Sequence, residues 1–272
     1  MKLGFASGCF LERRKEFIIP RKIPEELKTF PVELQVGRGY DYSDFDRVVS
    51  IHLPFMVYEE LKKEGIKIYK KAREVNIASL DEDFWRSDFE LFKKYLNEAA
   101  NKGVEYAVFH YGSCNCAGRP WRDENHRKLH WIKEKEFLDK LSELAVEGGI
   151  KLLVENHPYG DWVFLNHVKH IEEIVEGGYA EFCLDFAHAF YRFKKFGDAS
   201  LNMIITKFRD SVREVHLADN NGLSHKPSAL DKGKIEWRKL LSLLKSSLLI
   251  IIELQENPLE SLKKVQEVIK AH

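Results

Sequence analysis

Residues 181–188 read EFCLDFAH, an apolar run that ends in an aspartate and is followed three residues later by a histidine. Its near-continuous hydrophobicity is typical of a parallel strand that is covered on both faces. A charged side chain at the end of such a strand is rarely buried unless it is paired or binds a metal ion. The segment therefore predicts a parallel sheet with a polar site at one edge.

Seven similar runs occur elsewhere, and helical patterns separate most of them. The eight predicted strands are 3–7, 32–36, 48–53, 106–110, 152–156, 181–185, 214–218 and 248–254. The predicted helices are 58–75, 88–102, 130–147, 168–176, 201–208, 237–245 and 259–270. Eightfold alternation of strand and helix predicts an α/β protein with a single (β/α)8 TIM barrel, residues 1–272 forming one domain.

One long connection and one alternative fold need separate comment. Residues 54–104 are expected to carry extra helices rather than a second domain. An open, doubly wound sheet is the alternative to the barrel, but it would predict an early G-x-G-x-x-G turn, which the sequence lacks.

The composition narrows the class of protein. Hydrophobic residues make up 44% of the 272, and Lys+Arg and Asp+Glu balance at 43 each, so net charge gives no support to DNA binding. No apolar run reaches the roughly 18 residues that a membrane-spanning helix needs, and the first ten residues do not resemble a signal peptide. We therefore expect a cytoplasmic protein without a membrane partner, and assembly into a homo-oligomer is left open.

The four cysteines, Cys9, Cys114, Cys116 and Cys183, are expected to be free thiols. Cys114 and Cys116 form a C-x-C pair, but no second pair follows at zinc-finger spacing. Three histidines in helical patterns are assigned no role: His126, His130 and His170.

Six consecutive predicted strands end in a histidine, glutamate or aspartate. These residues are His52, His110, Glu155, Asp185, His216 and Glu253. In a barrel the carboxyl ends of the strands surround one mouth, so the six side chains can converge. Carboxylates with an imidazole suit Mn²⁺, Mg²⁺, Co²⁺ or Zn²⁺, and additional histidines favour Zn²⁺. The pattern predicts a divalent metal site, although each residue alone would be interpreted as structural.

Five motifs together resemble the xylose isomerase-like barrel superfamily. They are VEN at 154–156, CLDFAH at 183–188, VHLAD at 215–219, DKGKIEW at 231–237 and IIE at 251–253. That superfamily contains sugar isomerases and epimerases, and also abasic-site nucleases of the endonuclease IV type. The resemblance extends over nearly the whole chain.

The resemblance implies roles for particular residues. In the sugar epimerases one metal ion is held by the positions that match Glu155, Asp185, His216 and Glu253, and the two glutamates also move protons. The position of His188 contacts substrate oxygens. Endonuclease IV adds zinc ligands that match His52, His110, His188 and His225, but its additional aspartate corresponds here to Leu223, which cannot bind zinc.

Three functions follow, in order of preference. The first is a divalent-metal-dependent isomerase or epimerase of a small sugar or sugar phosphate, in which Glu155 and Glu253 transfer a proton through an enediolate. The second is a zinc-dependent abasic-site DNA phosphodiesterase, and the third is a non-catalytic binding protein. Further residues are assigned to the substrate pocket: His188, His225, Asp219, Trp121 and Trp162.

Overall fold

The computed structural model of the chain describes every residue except 15–16, 64–65, 113–123, 159–166, 255–256 and 272. Trp121, Trp162 and the C-x-C pair of Cys114 and Cys116 lie outside the described residues. None of the described helices combines the length and the apolar composition of a membrane-spanning segment.

Eight parallel strands close into a barrel, which confirms the predicted (β/α)8 fold. The strands of the described residues are β1 (Lys2–Ala6), β2 (Leu11–Arg14), β3 (Phe17–Pro20), β4 (Val32–Gln35), β5 (Val48–His52), β6 (Met56–Lys63), β7 (Ile66–Glu74), β8 (Tyr106–His110), β9 (Lys151–Glu155), β10 (Glu181–Asp185), β11 (Val212–Leu217) and β12 (Leu249–Ile252). Around the barrel the order is β1-β12-β11-β10-β9-β8-β5-β4, and β4 pairs with β1 to complete it. Each predicted strand overlaps one barrel strand.

Helices occupy most of the connections between barrel strands. Six predicted helices overlap observed ones. The helix Phe186–Phe196 (α5) was not predicted, because its sequence, FAHAFYRFKKF, is rich in aromatic residues that have modest helix propensity. The side chain of Asp185 accepts a hydrogen bond from the His188 backbone and so caps this helix. The described helices are α1 (Glu25–Lys28), α2 (Glu82–Asn101), α3 (Glu124–Glu147), α4 (His167–Glu176), α5 (Phe186–Phe196), α6 (Leu201–Phe208), α7 (Trp237–Ser242) and α8 (Pro258–Ala271).

The helix predicted at 58–75 is wrong. This segment forms most of the antiparallel hairpin β6–β7, and a second hairpin, β2–β3, joins it in a four-stranded sheet of order β2-β3-β7-β6. The many Glu and Lys residues mimic a solvated helix face, but Ile66 and Ile68 alternate with lysine at the period of a strand. The connection 54–104 therefore carries this hairpin and α2 instead of extra helices. Both hairpins follow barrel strands, so they lie towards the mouth.

The barrel strands bury both of their faces. Phe109, Val154 and Leu184 belong to the large core between the strands and the helices. The residues that precede them, Val108, Leu153 and Cys183, form a separate cluster with Tyr106. Because successive side chains of a strand point to opposite faces, this second cluster lies inside the barrel.

Candidate metal centre

Four predicted side chains meet at the mouth of the barrel. Glu155 ends β9, Asp185 ends β10, His216 lies in β11, and Glu253 follows β12 directly. One nitrogen or oxygen atom from each lies within 4.8 Å of the others. Neighbouring parallel strands end at the same rim, which explains why residues up to about 100 positions apart converge.

Glu155 is at the centre of this group and is only 1% exposed. Its Oε2 lies 2.9 Å from His52 Nε2 and 3.1 Å from His110 Nε2. Its Oε1 lies 3.2 Å from His188 Nδ1 and 3.4 Å from His216 Nδ1. One carboxylate therefore connects two groups: the four-residue set, and a second group of His52, His110 and Glu155 whose ligand atoms also lie within 4.8 Å.

His216 is oriented from inside the barrel by two carboxylates that the sequence analysis missed. Its Nε2 lies 2.9 Å from Glu33 Oε2 and 3.3 Å from Glu214 Oε1, and all three side chains are fully buried. In the neutral ring, donation from Nε2–H to Glu33 leaves the lone pair on Nδ1, the atom that lies 3.0 Å from Glu253 Oε2. A carboxylate on the outer nitrogen of a ligating histidine is a common way to fix its tautomer.

Asp185 is held in place through its backbone. Asn156 is fully buried; its side-chain oxygen accepts from Asp185 N at 2.8 Å, and its amide group donates to Asp185 O at 2.9 Å. The carboxylate Oδ1 accepts from His188 N at 2.6 Å, and Oδ2 lies 3.5 Å from His188 Nδ1. The position of Asp185 therefore depends on its neighbouring strand and on the first turn of α5.

Glu253 is the most accessible member of the set, with 25% of its side chain exposed. Gln35 Nε2 donates to Glu253 Oε1 at 2.8 Å, and the guanidinium of Arg38 donates to Gln35 Oε1. That guanidinium is stacked 4.4 Å from the centre of the Phe55 ring. This hydrogen-bonded series, also missed from sequence, orients Glu253 from β4, which is separated from β12 by β1.

Two atoms of the set indicate that a cation fits here. Glu155 Oε1 and His216 Nδ1 are buried and make no hydrogen bond within the described part of the chain. Buried polar atoms without partners are costly, and one divalent ion would coordinate both. Three carboxylates and one imidazole suit Mn²⁺, Co²⁺, Zn²⁺ or Mg²⁺. The residues present therefore fit the metal that the sequence pattern predicted.

Comparison with known proteins gives the family. The profile of the family described as "Xylose isomerase-like TIM barrel" matches residues 47–272. The chain belongs to this family. Strands β1 and β4, with Glu33 and Gln35, lie outside the matched segment.

Relatives of this xylose isomerase-like chain are distant in sequence. An uncharacterized protein of Methanocaldococcus jannaschii is 24% identical, covering 96% of this chain and 95% of its own. A D-tagatose 3-epimerase-like protein has a TM-score of 0.74 at 19% identity, covering 100% and 98%. The IOLI protein, solved with a bound zinc atom, has a TM-score of 0.66 at 14% identity, and the match covers 100% of this chain and 99% of that one. Endonuclease IV from Thermus thermophilus has a TM-score of 0.56 at 17% identity, and the match covers 100% of this chain and 98% of that one.

Burial and neighbouring charges shift the pKa values of the four-residue set and of His188 in opposite directions. Burial raises the pKa of Asp185 to about 7, although His188 acts against the rise. Burial also works against ionisation of Glu253, but His216 outweighs it and lowers the pKa of Glu253 to about 2. For His188, burial favours the neutral form, yet Asp185 and Glu155 raise its pKa to about 9. The carboxylates of this xylose isomerase-like barrel therefore require compensating positive charge.

The residues predicted to line the substrate pocket have different positions. His188 lies beside the four-residue set, with 19% of its side chain exposed. His225 is exposed in the loop after β11, and the centre of its ring lies 6.3 Å from that of Tyr191. Asp219 is buried and orders its own loop: Oδ1 accepts from Ile235 N at 3.0 Å and Oδ2 from Asp231 N at 3.1 Å. The substrate roles of these residues remain predictions, and Trp121 and Trp162 lie outside the described residues.

Proposed function

We propose that the chain is a divalent-metal-dependent isomerase or epimerase of a small sugar or sugar phosphate. The observation that carries the proposal is the pair of glutamates, Glu155 and Glu253, placed on the same nitrogen of His216 at 3.4 and 3.0 Å. Two carboxylates beside one cation site supply what a proton transfer next to a carbonyl group needs: a group that removes the proton and a group that returns it.

The four-residue set supplies both the metal ligands and the groups that transfer the proton. Glu155, Asp185, His216 and Glu253 would hold the ion, which, when bound, would neutralise the negative charge that develops on the sugar oxygens. One glutamate takes the carbon-bound proton, and the electron pair of the C–H bond moves into the enediolate. The other glutamate, which must carry a proton when the step begins, delivers it to the opposite face of the same carbon, or to the neighbouring carbon while the hydroxyl proton passes to the former carbonyl oxygen. No proton or electron is gained or lost overall.

The two glutamates differ in accessibility, which favours Glu253 as the first to meet the substrate. Both oxygens of Glu155 face histidines, and its side chain is 1% exposed, whereas that of Glu253 is 25% exposed. Gln35 fixes one oxygen of Glu253. His188, at the rim, is proposed to contact a substrate oxygen.

The family supports a sugar enzyme in general terms. Solved structures that share the fold include the D-tagatose 3-epimerase-like protein, and the IOLI protein carries zinc in its crystal. These similarities are below 25% identity, so they support the fold, and the reaction is inferred from the residues of this chain. Zinc and manganese are the ions that we propose first.

Abasic-site DNA cleavage is the second candidate, and one observation favours it. His52 and His110 both contact Glu155 Oε2, so a second cation could share that carboxylate. Leu223 weighs against a third zinc ion, because this side chain occupies the position of a nuclease ligand and is 81% exposed. A non-catalytic binding protein is the least supported function, since the four-residue set is complete.

Proton exchange tests the proposal even while the identity of the sugar is open. The protein would be incubated in D2O with a panel of ketoses and ketose phosphates and with Mn²⁺, Co²⁺, Zn²⁺ or Mg²⁺, and loss of the carbon-bound proton followed by ¹H NMR. We expect exchange beside the carbonyl of at least one sugar, reduced by at least about 100-fold in Glu253→Gln and Glu155→Gln. The exposed Glu143→Gln serves as the control. Absence of exchange with every sugar, together with incision of abasic DNA, would establish the second candidate instead.

A further inference from the structure

A pair of histidines near the start of α3 stands apart from the site at the mouth. His126 and His130 are four residues apart, so both side chains lie on one face of the helix. Their Nε2 atoms are 3.2 Å apart, and the ring planes meet at 77°. Two ligands of a tetrahedral zinc ion, each about 2.0–2.1 Å from the metal, lie about 3.3–3.4 Å apart. The pair is therefore already spaced as two ligands of one ion.

The orientation of His130 supports the same conclusion. Its side chain is buried, and its Nδ1 lies 2.5 Å from the backbone oxygen of Ala78, to which Nδ1–H donates. In the neutral ring this places the in-plane lone pair on Nε2, and Nε2 is the atom that faces His126. Burial lowers the pKa of His130, which keeps the ring neutral. A backbone carbonyl on the outer nitrogen is the usual support of a metal-binding histidine.

We propose that His126 and His130 form a second site for a borderline-soft divalent ion, with zinc as the first probe. Imidazole nitrogens suit Zn²⁺, Ni²⁺ and Cu²⁺ better than Mg²⁺ or Ca²⁺. Two imidazoles leave further coordination positions for other ligands. The proposal does not depend on the proposed sugar reaction, because neither histidine belongs to the four-residue set or to the group of His52, His110 and Glu155.

The position of the pair suggests what the ion would do. Ala78 belongs to the segment between β7 and α2, in the connection from β5 to β8, whereas α3 lies in the connection from β8 to β9. The hydrogen bond from His130 to Ala78 therefore links these two connections. Ala78 also packs on Gly112, two residues after His110; a Cβ added at Gly112 would lie 2.3 Å from the Cβ of Ala78. An ion on the pair would therefore fasten α3 to the segment that borders the mouth, without contacting the four-residue set.

The simplest competing explanation is a hydrogen bond between the two rings, with Nε2–H of His126 as donor. Zinc titration separates the two, in a background where Asp185→Asn weakens the site at the mouth. With the pair as a metal site, zinc raises the Tm of Asp185→Asn, and this variant binds one zinc ion more per chain than Asp185→Asn/His126→Gln, because the group of His52, His110 and Glu155 is the same in both. Adding His126→Gln should raise the zinc Kd by at least about tenfold. His126 is half-buried, so its replacement leaves the core intact.

Lys128→Ala, an exposed change within the same helical turns, is the matched control and should bind zinc as Asp185→Asn alone does. Elemental analysis of the otherwise wild-type His126→Gln protein gives a second measurement, since it should contain one zinc ion fewer per chain than the wild type. Equal zinc content and equal Kd with and without His126 would overturn the proposal and leave the ring-to-ring hydrogen bond. Failure of the sugar assay would not affect either measurement.

Discussion

Replacing Glu33 by glutamine tests how the ligand set is prepared for a metal ion. Glu33 Oε2 lies 2.9 Å from His216 Nε2, and both side chains are 0% exposed. The carboxylate can only accept from the ring, so it holds the proton on Nε2 and keeps Nδ1 available. Glutamine can instead donate its amide hydrogen to Nε2, which favours the tautomer with a proton on Nδ1. We therefore expect Glu33→Gln to weaken metal binding.

The size of the effect follows from the geometry around Nε2. Loss of a partner behind a metal ligand typically costs about 10–100-fold in affinity. Glu214 Oε1 is 3.3 Å from the same nitrogen and can take over part of the role. Glu33→Gln should therefore lie near the lower end, about tenfold or about 1.4 kcal/mol. The double variant Glu33→Gln/Glu214→Gln should approach about 100-fold, and Glu214→Gln alone should change the affinity less than Glu33→Gln.

The assay is competition for zinc against a chromophoric chelator, with folding checked by circular dichroism. Glu134→Gln is a matched control, because Glu134 is also fully buried and contacts a histidine, with Oε2 3.1 Å from His170 Nε2, but it belongs to none of the three groups of described residues that could hold a metal ion. Its zinc affinity should equal that of the wild type. A folded Glu33→Gln protein with wild-type zinc affinity would refute the idea that Glu33 orients His216.

Three further predictions follow from individual contacts. Gln35→Met removes the donor to Glu253 Oε1 and should lower turnover about 10–100-fold; wild-type kcat in this variant would show that Gln35 does not position Glu253. Asn156→Ala removes both hydrogen bonds to the Asp185 backbone and should reduce the free energy of unfolding in urea by about 2–4 kcal/mol; a loss below about 0.5 kcal/mol would contradict the role of this contact. Arg238 holds the pKa of Asp231 below its usual range, so the stabilisation is complete above pH about 4 and is lost as the pH falls further. The acid decline of Tm should be shallower in Asp231→Asn, and an identical decline would mean that the ion pair contributes nothing.

The barrel could be predicted because its strands are buried on both faces. Short apolar runs such as 106–110 and 181–185 favour buried strands, and their observed bounds match the predicted ones. The hairpin β6–β7 was misinterpreted because an exposed, charged strand and an exposed, charged helix have similar compositions. Pairing with β3, far away in sequence, decides which of the two forms.

The convergence of the four-residue set could be predicted from strand ends, but its supports could not. Glu33 stands in the segment VELQ, where alternating polar residues are typical of a strand face in water. Only closure of the barrel turns that face inward and buries Glu33 and Gln35. A sequence pattern shows which residues alternate, whereas the tertiary fold determines which face is buried.

The two proposed reactions make opposite demands on Glu155. Its Oε1 serves the four-residue set and its Oε2 faces His52 and His110, so an ion at the second group would engage the oxygen that a proton-transfer step would use. One ion at the mouth leaves Glu155 able to move a proton; two ions commit it as a bridge, as hydrolytic two-metal sites require. The His126→Gln variant lacks the proposed site on α3, so the number of metal ions per chain in this variant, measured by elemental analysis, distinguishes the two reactions. We expect one ion per chain, and a count of two that falls to one in His52→Ala would move the assignment to phosphodiester cleavage.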